Sequence, residues 1–339
     1  MVAQHETDIV VIGAGPVGLF QIFEAGMLDM RCHVVDTLDA IGGQCTALYP
    51  EKPIYDIPGY PEIEADDLIR QLEKQAAPFE PVFHLDQQVV ALEGEAGAMT
   101  VRTSVGTEVA CKAVVIAAGC GAFGPNRPPL AGIEDYEGSG SVAYLVTRKE
   151  EHRGKRVVIA GGGDSALDWV LGLHGVASEI MVVHRRDRFR AAPDSVKRMN
   201  ALVEAGEVEL IVPYQLHGLD GSNGELSAVI VVDLDGNERR LEADLLLPFY
   251  GLRMELGPIA DWGLNLEKNL ITVEPSTCET STPGIYGVGD IVTYPGKLKL
   301  ILSGFSETAV AAHAMYNLVY PDKPLHFEYS TTRGVPGEE

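Results

Sequence analysis

Two short glycine loops carry the residue types and spacing that point to chemistry. Gly13-Ala14-Gly15-Pro16-Val17-Gly18 follows the apolar run Ile9-Val10-Val11-Ile12. Gly161-Gly162-Gly163-Asp164-Ser165-Ala166 follows Val157-Val158-Ile159-Ala160. Both read G-x-G-x-x-G/A between an apolar strand and a helix, the pattern of a dinucleotide-binding turn. The first glycine makes a tight turn and the second lets backbone approach a pyrophosphate. The third position, Gly18 or Ala166, lets the helix pack on the strand. The helix N-terminus then meets the phosphate charge.

Each loop is followed by a second apolar strand whose last neighbour differs. Cys32-His33-Val34-Val35 runs into Asp36, and a carboxylate there suits two free ribose hydroxyls. Ile180-Met181-Val182-Val183 runs into His184-Arg185-Arg186. Counted from the first glycine, His184 stands where Asp36 stands. Cations at that place suit a 2′-phosphate, which guanidinium grips bidentately. The chain is therefore expected to hold one nucleotide without a 2′-phosphate (FAD or NAD) and one with it (NADP). Arg185, Arg186, Arg188 and Arg190 form a local basic patch on a chain of net charge -23. That overall charge disfavours nucleic acid and anionic membranes as partners.

These loops need elements to position them, and 339 residues suit two domains of ordinary size. No apolar run is long enough to cross a bilayer, and Met1 to Asp8 lacks a signal-peptide pattern. Cys32, Cys45, Cys111, Cys120 and Cys278 form no C-x-x-C pair. A reducing cytoplasm is expected, with no disulfide framework, no metal site and inert, buried thiols. Residues 42 to 61, rich in Gly, Pro and Tyr, read as ligand-lining loop. A helix is expected over Asp66 to Gln75, with Leu68, Ile69 and Leu72 on one face. A small antiparallel sheet is expected within 88 to 118, ending in a buried strand at 113 to 118. Another is expected over 207 to 247, with Asp235-Gly236 as a hairpin turn. A strand stops at Gly289-Asp290, and a helix follows from about Ser303 to Val319. Chain crossings are placed near Gly121 to Gly124 and near Leu247 to Leu252. The architecture is α/β, with one nucleotide domain (123–251) inserted into another that is split between the ends (1–122 and 252–339).

Taken in order, Gly13 to Gly18, Asp36, Gly42-Gly43-Gln44, Gly161 to Ala166, His184 to Ala191 and Gly289-Asp290 resemble the thioredoxin-reductase branch of the two-dinucleotide flavoproteins. That branch carries a C-x-x-C pair shortly before the second loop. Here the stretch Ser141 to Thr147 has no cysteine, so disulfide chemistry lacks its nucleophile. Leu48-Tyr49-Pro50-Glu51-Lys52, Gly161 to Trp169 and the tail Tyr329-Ser330-Thr331-Thr332 resemble the thioredoxin-reductase-like ferredoxin–NADP(+) reductases. The resemblance implies two Rossmann-like domains of three-layer ββα type, FAD in the split one and NADP in the inserted one. It assigns FAD to Gly13, Gly15, Pro16, Gly18, Asp36, Gly43, Gln44, Tyr49, Val89, Asp290, Tyr329, Ser330 and Thr331. It assigns NADP to Gly161, Gly162, Gly163, Asp164, Ser165, His184, Arg185, Arg186 and Arg190. Tyr49 would stack on one flavin face, and Tyr329, from the other subunit of a homodimer, would cover the opposite one.

The implied reaction is hydride exchange between NADP(H) and flavin N5, followed by single-electron exchange with ferredoxin, or flavodoxin in its place. The protein supplies orientation, shielding and electrostatics, so no side chain is nominated as catalytic. Asp290 is expected to accept hydrogen bonds from flavin-side hydroxyls. The helix beginning near Gly304 would favour negative charge on the reduced ring. Lys297 and Lys299 are candidates for an exposed docking patch. Two other readings are kept: a flavoprotein reductase of another acceptor, such as a quinone or small molecule, and a non-catalytic NADP-sensing flavoprotein.

Overall fold

The computed structural model describes residues 4–325 and Gly334. Tyr329, Ser330, Thr331 and Thr332 lie outside them. The fold divides into two compact units, Met1–Phe123 with Met254–Glu339, and Gly124–Arg253. The chain passes between them in Ala122–Pro125 and Leu252–Glu255, which pair as a two-stranded ribbon.

The first unit is built on a five-stranded parallel sheet. Its order is Ile285–Gly287, Ala113–Ile116, Ile9–Ile12, Cys32–Val35, Val82–His84. Ile9–Ile12, Cys32–Val35 and Ala113–Ile116 are buried at every position, as expected of parallel strands covered on both faces. Ile9, Val11, Val34 and Val115 pack with the helices Pro16–Gly26, Ala65–Ala76 and Ile301–Val319. Val10, Ile12, Val35, Val114 and Ile116 pack instead with Val89, Met99, Val101 and Val109 of a second sheet. Strand periodicity thus makes three layers: helices, parallel sheet and second sheet. The second sheet runs Gln4–Glu6, Glu108–Cys111, Ala98–Thr103, Val89–Glu95, antiparallel except for its first pair.

The expected helix forms as Ala65–Ala76, with Leu68, Ile69 and Leu72 buried. Asp66 and Asp67 at its start and Lys74 at its end complement the helix dipole. The 42–61 stretch is less irregular than expected. It contains a short helix, Gln44–Ala47, and the strand Pro53–Ile54, paired with Ile63–Glu64. The final helix begins at Ile301 rather than Ser303.

The second unit repeats the plan. Its parallel sheet runs Glu209–Ile211, Glu179–Val183, Arg156–Ala160, Leu245–Pro248. Val158, Ala160, Met181, Val183 and Leu246 pack against Val229, Val231 and Leu241 of a three-stranded antiparallel sheet. That sheet is Gln215–Ser222, Glu225–Val232 and Glu238–Glu242. The expected single sheet over 207–247 is therefore corrected. Glu209–Ile211 and Leu245–Pro248 belong to the parallel sheet; the unit runs to Arg253, next to the crossing expected near Leu247 to Leu252. The Asp235-Gly236 turn does form, tied by the Asp233 carboxylate, which accepts from the N–H groups of Asp235 (2.9 Å) and Asn237 (2.8 Å).

One packing feature of the first unit has no counterpart among the described residues of the second. His5, His33 and His84 sit together with ring centroids 5.0–5.5 Å apart. His33 Nδ1 and His84 Nε2 are 3.0 Å apart, and both rings are buried. Burial first, then mutual repulsion with the other imidazoles and Arg31, pulls His33 down to about 4. Among the described residues no helix is long and apolar enough to cross a membrane, and no trio of side chains is arranged to hold a metal ion.

Candidate functional site

In the first unit the glycine loop sits where three parallel strands end. The Gly13 N–H donates to Val35 C=O (2.8 Å), and the Ala117 N–H to Ile12 C=O (2.8 Å). Gly13 has φ +110°, and a Cβ there would lie 2.4 Å from the Ala117 carbonyl oxygen. A Cβ on Gly18 would lie 1.9 Å from Gly13 O, so the helix start presses directly on the turn. Gly15 differs: nothing stands within 4 Å of its absent Cβ. Gly13 and Gly18 close the turn, and Gly15 forms its open side.

That open side faces a cleft enclosing about 1150 Å3 of empty space, its mouth included. Gly13, Gly15, Pro16, Asp36 and Gly43 line it, as do Gln44, Tyr49, Val89 and Asp290. Gly18 is buried behind the turn. The Asp36 carboxylate accepts the Ala14 N–H at 2.6 Å and the Leu38 N–H at 2.9 Å. Burial pushes its carboxyl up, against the pull of those N–H groups. The Gly42 N–H donates to Ala14 O (2.8 Å), which brings Gly43 so near that its Cβ would lie 3.1 Å from Gly15 Cα. Gln44 Nε2 donates to Cys120 Sγ at 3.2 Å. The half-buried Tyr49 hydroxyl is hydrogen-bonded to Cys45, and burial pushes its pKa up. All five cysteines are buried, as expected, and burial pushes each thiol up.

Asp290 follows Gly289 in a short 3-10 turn, and burial pushes its carboxyl up while Lys297 and Lys299 pull it down. This turn is anchored by Glu307, a residue the sequence reading missed. Glu307 is 4% exposed. Its carboxylate accepts from the Gly289 N–H (2.7 Å), the Tyr294 hydroxyl (2.6 Å) and the Lys297 ammonium (2.5 Å). Three residues before it on the same helix, Gly304 packs on Val17 and the Gly289 backbone. Lys297 is accordingly corrected. Its side chain is 5% exposed and paired with Glu307, so it offers no docking charge, whereas Lys299 is exposed. Gln87 and Gln88 also line the cleft and were missed; the only signal was a polar pair just before Val89.

The loop of the second unit is put together the same way. The Gly161 N–H donates to Val183 C=O (3.1 Å) and the Phe249 N–H to Ala160 C=O (2.8 Å). A Cβ on Gly161 would lie 2.7 Å from Phe249 O, and nothing stands within 4 Å of one on Gly163. Gly162 has another reason to be glycine: a Cβ there would strike the His184 ring at 2.4 Å. His184 also lies 5.0 Å from the Phe189 ring. Burial and the neighbouring arginines hold its pKa below the ordinary value, so it is not one of the expected cations at neutral pH. The arginines are. Arg185, Arg186 and Arg190 are exposed, and among the described residues no carboxylate pairs with them. The Arg190 N–H donates to Gly162 O (2.7 Å) and the Ala192 N–H to Asp164 Oδ1 (2.7 Å). These two bonds fasten the arginine segment to the glycine loop, with Ser165 exposed beside it.

The residues fit an adenine dinucleotide in each unit. Each loop has one closed and one open glycine beside a helix start. One loop is followed by a carboxylate, the other by free guanidinium groups.

Comparison with known proteins gives the same picture. The family described as pyridine nucleotide-disulphide oxidoreductase matches residues 7–315. A ferredoxin–NADP reductase of Granulibacter bethesdensis is 61% identical over 98% of this chain and 95% of its own length. One of Paramagnetospirillum magneticum is 60% identical over 98% of this chain and 99% of its own. Among solved structures, the thioredoxin reductase of Lactococcus lactis superposes with a TM-score of 0.80 at 22% identity, covering 93% of this chain and 99% of that one. The bacillithiol disulfide reductase of Staphylococcus aureus does so at 0.74 and 16%, covering 92% and 98%, and both share the two-domain fold. The chain belongs to the pyridine nucleotide-disulphide oxidoreductase family, in the group of its ferredoxin–NADP reductase relatives.

Proposed function

We propose that this protein is an FAD-dependent ferredoxin–NADP(+) reductase. The observation that carries the reading is the pair of like-built glycine loops with opposite charge beside them. Asp36 stands at the first loop, and unpaired Arg185, Arg186 and Arg190 at the second. The split unit is the FAD domain and the inserted unit the NADP domain. Near 60% identity over almost the full length to ferredoxin–NADP reductases supports ferredoxin, or flavodoxin in its place, as the partner. The resemblance supports a homodimer working in the cytoplasm.

Bound FAD supplies the conversion between a two-electron nicotinamide and a one-electron protein partner. The chain's own residues bind and orient. The open backbone at Gly15 admits the pyrophosphate, Gly43 packs closely beside it, and the helix start at Pro16 faces the phosphate charge. Asp36, fixed by two backbone N–H groups, is aimed at the ribose. Asp290 accepts hydroxyls nearer the ring, and Tyr49 shields one ring face. In the second unit Gly163 admits a pyrophosphate, while Arg185, Arg186 and Arg190 read the 2′-phosphate.

NADPH-driven reduction of cytochrome c, with and without added ferredoxin, tests this. Ferredoxin should raise the rate, and NADPH should outperform NADH. Protein that takes up no FAD, or whose rate ignores ferredoxin, would sink the proposal.

A further inference from the structure

The buried cluster behind Asp290 does more than hold a turn. Glu307 and Lys297 are each 5% exposed at the side chain, an ion pair taken almost wholly out of water. Such pairs are weak evidence for stability, since desolvation offsets their attraction. Their placement is the informative part. Glu307 binds the backbone N–H of Gly289, the residue before Asp290, and Lys297 lies near enough to Asp290 to act on its carboxyl. Tyr294 supplies a third donor to Glu307, and Gly304 seats the same helix on Gly289 and Val17. Val17 and Asp290 both line the cleft. The Glu307–Lys297 pair therefore stands directly behind the Gly289–Asp290 turn that lines the cleft.

We infer that Glu307 is a positioning residue that both sets the Gly289–Asp290 turn and cancels the charge of Lys297, so that the pair tunes the reduction potential of the bound flavin. The inference rests on the reading of this cleft as the FAD site. With both partners present, the pair is neutral and adds no net charge behind Asp290. Removing Glu307's charge frees a buried cation beside the cleft, which favours the more negative, reduced cofactor. Removing Lys297 leaves two carboxylates, which disfavour it. The two single changes must act in opposite directions.

The test is the midpoint potential of the FAD-loaded protein in wild type, Lys297→Met, Glu307→Gln and the double variant. Glu307→Gln keeps an acceptor for the Gly289 N–H, so it removes charge with little change of shape. Glu307→Gln should raise the midpoint and Lys297→Met should lower it. Each change should be on the order of tenfold in the ratio of oxidised to reduced FAD affinity, the scale of one uncompensated charge at a buried site. For a two-electron couple that is ~30 mV. The double variant should return close to wild type, a coupling that a merely structural role would not produce. If Glu307→Gln fails to hold FAD, the proposal still requires the double variant to lie above Lys297→Met. Shifts of the same sign, no shift, or a double variant at or below Lys297→Met would overturn it while leaving the FAD reading intact. Wild-type protein that binds no FAD would overturn both.

Discussion

Two glycines three positions apart in the first loop should answer opposite questions when changed to alanine. Gly15 has φ -71° and ψ -178°, a conformation alanine adopts freely, and no atom stands within 4 Å of its added Cβ. Gly15→Ala should therefore leave the apoprotein intact. Stiffening the unfolded chain favours the fold by about 0.4–1 kcal/mol, and the poorer helix cap at Ala takes back a similar amount, about 0.5–1 kcal/mol. The melting temperature of the apoprotein should move by less than about 3 °C. The new methyl, however, occupies the side of the loop that a pyrophosphate must approach. Displacing a ligand from backbone contact should cost about 2–3 kcal/mol, or roughly 30- to 150-fold in FAD affinity. Gly18→Ala places a methyl 1.9 Å from the Gly13 carbonyl oxygen, a backbone atom that cannot swing aside. Overpacking of that kind costs about 3 kcal/mol or more, so the apoprotein itself should melt well below wild type. The assay is thermal unfolding of both apoproteins, followed by FAD titration through quenching of flavin fluorescence. A Gly15→Ala protein that binds FAD as tightly as wild type would refute the assignment of the open side to the cofactor.

Changing Arg185 and Arg190 to Ala should raise KM for NADPH about tenfold or more per residue, from charge-assisted bonds worth ~1.5–3 kcal/mol each, and leave NADH nearly unchanged. Steady-state kinetics with both nucleotides check this, and equal losses would show that these arginines do not read the phosphate. His33 binds its proton less readily when folded, near pH 4 rather than 6.5. Between those values the unfolded chain takes up more protons, so stability should fall as pH drops from 6.5 to 4 and level off below. The difference corresponds to ~3 kcal/mol, which partial solvent screening cuts to roughly 1–2 kcal/mol. Urea unfolding of the apoprotein across that range should show the slope, and His33→Gln should flatten it.

What the sequence made legible was whatever repeats locally. The two strand–glycine–helix units could be read because every residue that shapes them lies within one short stretch. The Ala65–Ala76 helix was readable from Leu68, Ile69 and Leu72 alone. Contacts between distant segments were not. Lys297 looked like a surface charge because nothing near it in sequence is acidic, and its partner Glu307 lies a helical turn and a loop away. Gly162 looked like part of a phosphate turn, but the ring that requires it arrives from the next strand. Glu209–Ile211 and Leu245–Pro248 were assigned to the wrong sheet because a short apolar strand does not announce its neighbours.

The burial of every cysteine bears on chemical durability. A flavin that accepts electrons beside air can pass them to oxygen, and the peroxide formed attacks thiolate rather than thiol. Cys32, Cys111 and Cys278 are pushed up to about 12 and Cys45 to about 11. At neutral pH thiols shifted upward in this way stay protonated. Cys45 lines the cleft itself and Cys120 touches Gln44 at its wall. The sulfur atoms at the cleft are thus held as thiols, the form that peroxide attacks less readily.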